Sequence, residues 1–133
     1  MTWIGYCIKA KTLYNIHSPF VFDMYQNVLF ARVRSGLKAR TDGHSRRFGE
    51  LRYKLMDYYS LKEVQADDHT ALLAGGDDIG SILIVDRPHA SKEAEQRWAA
   101  LCGDERYRVS IDIYRVGLLL TNSHLHREHF LLK

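Results

Sequence analysis

The run Ser81-Ile82-Leu83-Ile84-Val85 constrains the fold more than any other part of the chain. A strand with one wet face alternates polar and apolar residues. An unbroken apolar, β-branched run instead reads as a strand buried on both faces, the habit of parallel sheets. Asp86-Arg87-Pro88 stops it. Ser91 can cap a following helix whose Ala94, Trp98, Leu101 and Cys102 line one side, with Gly103 at its end. Tyr107, Val109, Ile111 and Ile113 then alternate with Arg108, Ser110, Asp112 and Tyr114, a period of two. Residues 116–120 follow almost at once, which predicts an antiparallel hairpin or a bent strand. Residues 129–132 supply a last short strand. The order argues an α/β fold, a small mixed sheet of three or four strands (81–85, 107–114, 116–120 and 129–132) flanked by helices.

The N-terminal part is helical in pattern. Ser18-Pro19 is a helix start, and Val21, Met24, Tyr25, Val28 and Leu29 behind it predict an amphipathic helix over 19–34. Residues 2–13 predict another, with Ile4, Tyr6 and Ile8 inward. Ser35-Gly36 ends the second helix, and a polar loop runs to Ser45. Phe48, Leu51, Leu55 and Tyr58 mark a third helical face, which runs out near Tyr59. One domain is expected for 133 residues, divided into a helical part (1–59), a short bridge (60–80) and a strand–helix–strand–strand part (81–133).

Composition is that of an ordinary globular chain, 46% hydrophobic and 26% charged. No apolar run approaches the roughly 20 residues of a membrane helix. Met1 to Cys7 has neither a basic stretch nor a cleavage site. The chain therefore reads as cytoplasmic, with no membrane partner. Cys7 and Cys102 read as reduced core thiols rather than a disulfide.

Tyr14-Asn15-Ile16-His17-Ser18-Pro19-Phe20-Val21-Phe22-Asp23 resembles the N-terminal signature of a group of bacterial class I S-adenosylmethionine-dependent methyltransferases. Arg47-Phe48-Gly49-Glu50-Leu51-Arg52-Tyr53-Lys54-Leu55 is similar to the helix before their first strand. Ile82-Leu83-Ile84-Val85-Asp86, with His89, Ser91 and Trp98, resembles their fifth strand and the helix after it. The last three strands are similar to their closing strands. The resemblance implies a truncated Rossmann-like fold. In the family, the missing middle holds a glycine-rich turn near the cofactor and an acidic residue for its ribose. Only about twenty residues separate Tyr59 from Ser81, whereas each βαβ unit needs roughly 30. The glycine-rich run Ala74-Gly75-Gly76-Asp77-Asp78-Ile79-Gly80 precedes a strand instead of following one, and so reads as a turn.

Three candidate constellations remain. Asp86, His89 and Ser91 match the family's strand-end positions. Arg87 beside Asp86 argues for a structural carboxylate over a metal ligand. Ser91 reads as a helix cap, and His89 as a solvated loop residue. His124, His126 and His129 could converge on a metal only through a turn, so a polar turn is the preferred reading. Arg40, Arg46 and Arg47 belong to a basic loop that could meet phosphates. It lacks the interleaved aromatics of a single-strand binder, so a solvated loop outweighs nucleic-acid binding. The expectation is a methyltransferase-like protein without catalysis of its own and without a cofactor. S-adenosylmethionine enters only if a second chain completes the enzyme. Loss of half the sheet would expose an edge at Ile82 to Val85. Either the segment from Asp67 to Leu73 covers it with the N-terminal helices, or the chain uses it to form a homodimer or bind a protein partner.

Overall fold

The computed structural model describes residues 2–9, 18–30, 44–75, 80–121 and 125–133. Four helices, α1 (Trp3–Lys9), α2 (Pro19–Met24), α3 (Arg46–Tyr59) and α4 (Lys92–Cys102), accompany six strands. These are β1 (Lys62–Ala66), β2 (Thr70–Ala74), β3 (Ser81–Asp86), β4 (Val109–Asp112), β5 (Val116–Leu120) and β6 (Glu128–Leu131). They form one mixed sheet in the order β1-β2-β3-β5-β4-β6. Only β4 and β6 pair in parallel; the other neighbours are antiparallel.

The fold is α/β, but the sheet has six strands where three or four were expected. The two additional strands lie in the segment read as a short bridge. Asp67 makes their turn, its Oδ1 accepting the amides of His69 and Thr70, each at 2.8 Å. Ala71 and Leu73 then point into the core. β1 is largely exposed on both faces, so Lys62, Glu63 and Gln65 could remain polar and leave no alternation to detect.

β3 is not a parallel-sheet strand. It pairs antiparallel with β2 along Thr70–Val85 to Ala74–Ser81 and with β5 along Ile82–Leu120 to Asp86–Val116. Its apolar character reflects two covered faces, not the direction of its neighbours. The edge from Ile82 to Val85 is accordingly not exposed; β2 occupies it.

Alternation along the strands sorts the two layers. Ile82, Ile84, Ile111, Val116, Leu118 and Phe130 face Val21, Met24 and Leu29 and, from α3, Phe48, Leu51 and Leu55. On the other face Trp98 of α4 packs on Val85 and Leu119. Gly117 permits that contact: a Cβ there would stand 2.4 Å from the Trp98 ring.

The N-terminal helices depart from their sequence pattern in part. Tyr6 is fully buried, as expected, but Ile4 is 74% exposed. α2 begins at the predicted Ser18 cap and passes at Tyr25–Leu29 into a π-helical turn. Residues 31–43, and with them the predicted end of that helix and Arg40, lie outside the described residues. Tyr58, assigned to the inward face of α3, is 45% exposed. Among the described residues no helix is long and apolar enough to cross a membrane.

Candidate functional site

β3 and β4 run in the same direction with β5 reversed between them. Asp86 and Asp112 therefore end two strands on the same side of the molecule. Open α/β sheets place their ligand crevices outside such carboxyl ends.

Asp86 lies on the α3 face and is buried. Its Oδ2 accepts the Ser45 amide at 3.0 Å, and its Oδ1 accepts the Ser45 hydroxyl at 2.5 Å. The same hydroxyl oxygen accepts the Phe48 amide and so caps α3. Arg87 Nε completes the shell, 3.4 Å from Asp86 Oδ2. The carboxylate thus ties the end of β3 to the start of α3.

Asp112 lies on the opposite face, with only 1% of its side chain exposed. Its Oδ1 accepts the Tyr114 amide at 2.8 Å. Its Oδ2 accepts His89 Nε2 at 2.5 Å, while His89 Nδ1 donates to Glu95 Oε2 at 2.7 Å. The solvated reading of His89 is corrected here: 6% of the side chain is exposed. Pro88 and the Ser91 cap turn the chain so that the imidazole points back beneath α4. Burial works against protonation, but the bonds to Asp112 and Glu95 outweigh it and raise the His89 pKa. Each ring nitrogen faces a carboxylate oxygen, an arrangement that favours the imidazolium, which has no free lone pair. In that state it serves as neither base, nucleophile nor metal ligand. It is a positive post between two acids.

Tyr114 stacks on His89 at 5.3 Å, and Tyr6 meets both rings edge-on. The Tyr6 hydroxyl donates to the Leu132 carbonyl at 2.6 Å and also lies against the Asp112 carbonyl. Burial and the Asp112 charge raise its pKa far above the ordinary phenol range. α1 is thereby fastened onto this cluster.

Ser91 acts as the predicted cap, its Oγ accepting the Ala94 amide at 3.0 Å. Beside His89 opens a cleft of about 370 Å³ lined by Glu95, Trp98, Cys102, Asp112 and His129. His129 Nδ1 lies 2.6 Å from Ser110 Oγ. Burial pushes the Cys102 thiol up to about 11, so it is protonated at neutral pH and poorly nucleophilic. Among the described residues no three histidine, cysteine or acidic side chains are placed to hold a metal. His124 lies outside the described residues, and His126 is exposed at a separate groove beside Phe20 and Phe130.

Of the basic segment's candidates, Arg46 and Arg47 lie among the described residues, in the first turn of α3, with Arg46 exposed. Arg46 pairs with Glu50 at 2.9 Å. Arg47 donates to the Leu29 carbonyl at 2.9 Å and covers the Phe30 ring. Lys54 reaches that carbonyl too, its pKa lowered to about 8 by burial and then by Arg47.

Sequence patterning found Asp86, His89 and Ser91 but missed Ser45, Glu95 and Tyr6 as their partners. The one available signal was Asp112, a charge at the end of an otherwise inward-facing strand. Compared with protein-family models, curated proteins and solved structures, the chain matches none.

Proposed function

We propose that this is a methyltransferase-like protein without methyl transfer of its own. It keeps the N-terminal helices and closing strands of the S-adenosylmethionine-dependent enzymes its sequence resembles. The pairing of β3 carries the reading. In the resemblance β3 is the fifth strand, whose outer neighbour would belong to the cofactor-bearing half of the sheet. Here that side is filled, residue by residue, by the antiparallel β2, with β1 beyond it.

A dinucleotide-type crevice needs a strand, a tight glycine turn and a helix in succession. Between Ser60 and Ser81 the chain builds a hairpin instead. The carboxylates at the neighbouring strand ends are also committed to the protein's own groups, Asp86 to Ser45 and Asp112 to His89 and Tyr114. Neither is left to take a ribose hydroxyl.

Isothermal titration with S-adenosylhomocysteine tests this. The expected result is no heat at millimolar ligand, at protein concentrations low and high. Micromolar binding at any of them would sink the proposal. Binding only at high protein would point to an enzyme completed by a second chain.

A further inference from the structure

We infer that the pocket between Arg87 and Arg115 binds a phosphate group, free or as a small monoester. The pocket measures about 150 Å³ and is lined by Arg87, His89, Ala90, Tyr114 and Arg115. It lies beyond the carboxyl ends of both β3 and β4.

Two turns deliver the arginines to one place. The Arg87 amide donates to the Arg115 carbonyl at 2.9 Å, so the two side chains spring from adjoining backbone. Both turns hold a non-glycine residue at positive φ, Arg87 at 48° and Tyr114 at 71°. Such conformations persist only where the surroundings enforce them. Here the Asp112–Tyr114 amide bond and the Arg87–Arg115 bond do so.

The acidic neighbours of the pocket are directed mainly at His89. Asp112 and Glu95 face His89 from β4 and α4. Asp86 lies 3.4 Å from Arg87 Nε, one of five guanidinium donors. Arg115 is exposed and, among the described residues, has no carboxylate partner. Two arginines lining one small cavity suit a tetrahedral oxyanion, which a guanidinium can grip bidentately. Tyr114 gives one wall an aromatic surface. The cavity has room for one such group.

The test is titration with inorganic phosphate and, separately, phenyl phosphate in a low-salt buffer free of other polyvalent anions. Heat and the fluorescence of Trp3, whose ring lies 4.9 Å from Tyr114, are read together. One-site saturation, weakened about tenfold or more by Arg115→Gln and by Arg87→Gln but unchanged by Arg106→Gln, is the expected result. Both pocket side chains are at the surface, so the variants should fold; circular dichroism checks this. Tighter phenyl phosphate than inorganic phosphate identifies a monoester, and equal affinity a free anion. No saturation by either ligand at tens of millimolar, or equal weakening by Arg106→Gln, overturns the inference. So does a short oligonucleotide that competes with a steep salt dependence. Failure here leaves the proposal on S-adenosylhomocysteine standing, since that rests on β2 and not on this pocket.

Discussion

Replacing His89 by alanine removes the cation between two acids, and its cost follows from how buried each partner is. Asp112 has 1% of its side chain exposed and would lose the bond to its Oδ2. Breaking a buried pair from one side costs about 3–5 kcal/mol. The Glu95 contact adds little: that side chain is 33% exposed, and exposed pairs contribute about 0–1 kcal/mol. Asp112 keeps the bond from the Tyr114 amide, so a loss at the low end, near 3 kcal/mol, is expected. For a chain of this length that is a fall in Tm of about 12 °C. The pH dependence has a definite sign. His89 is raised in the folded protein above its ordinary value. Its stabilisation is therefore complete below about pH 6.5 and fades as pH rises through the folded pKa. The gap between wild type and His89→Ala, measured by urea denaturation, should be widest near pH 6 and narrow toward pH 9. Adding Asp112→Asn to the alanine variant should restore about 1–2 kcal/mol, because it removes the stranded charge while its amide oxygen can still accept the Tyr114 amide. A loss below 1 kcal/mol, or a gap that widens with pH, would refute the imidazolium assignment.

Gly117→Ala should destabilise by about 1–3 kcal/mol, since its Cβ would stand 2.4–2.9 Å from three atoms of the Trp98 ring. The penalty should shrink by at least about 1 kcal/mol in a Trp98→Phe background, where those atoms are gone; an unchanged penalty in urea melts would refute the steric account. Ser45→Ala should cost about 2–3 kcal/mol and Ser91→Ala about 1 kcal/mol. Both serines cap helices, but only Ser45 also donates to Asp86, so equal losses in thermal melts would dismiss that carboxylate's part.

Local signals were read well where one residue acts on its own stretch of chain. Ser18 and Ser91 each accept an amide three residues on. The alternation of Val109, Ile111 and Ile113 placed those residues in the core. Strand direction was not legible, because Ile82 to Val85 looks the same between antiparallel neighbours as between parallel ones once both faces are covered. Ile4 misled because a short helix against one side of a sheet buries a single residue per turn, and in α1 that residue is Tyr6. The site was half legible. Asp86 and His89 could be flagged by position, but their partners stand 41 and 23 residues away along the chain. No local pattern reports a bond of that span.

The hairpin also changes the argument for self-association. Two ways to cover the edge from Ile82 to Val85 were expected, the segment from Asp67 to Leu73 or a second copy, and β2 supplies the first. With β2 in place, the edge moves outward to Lys62–Ala66, a strand of different chemistry. Its pairing with β2 is irregular between Glu63 and Gln65, and a bulge spoils the straight row of donors that another strand would need. Glu63 turns back to Arg52 of α3 at 3.4 Å, and Lys62 and Gln65 are exposed. Val64, 64% exposed, is the one large apolar side chain on that edge. Charge, bulge and internal ion pair are the devices by which sheet proteins resist edge-to-edge growth. The hairpin thus ends this side of the sheet in a strand poorly suited to pairing with a second copy.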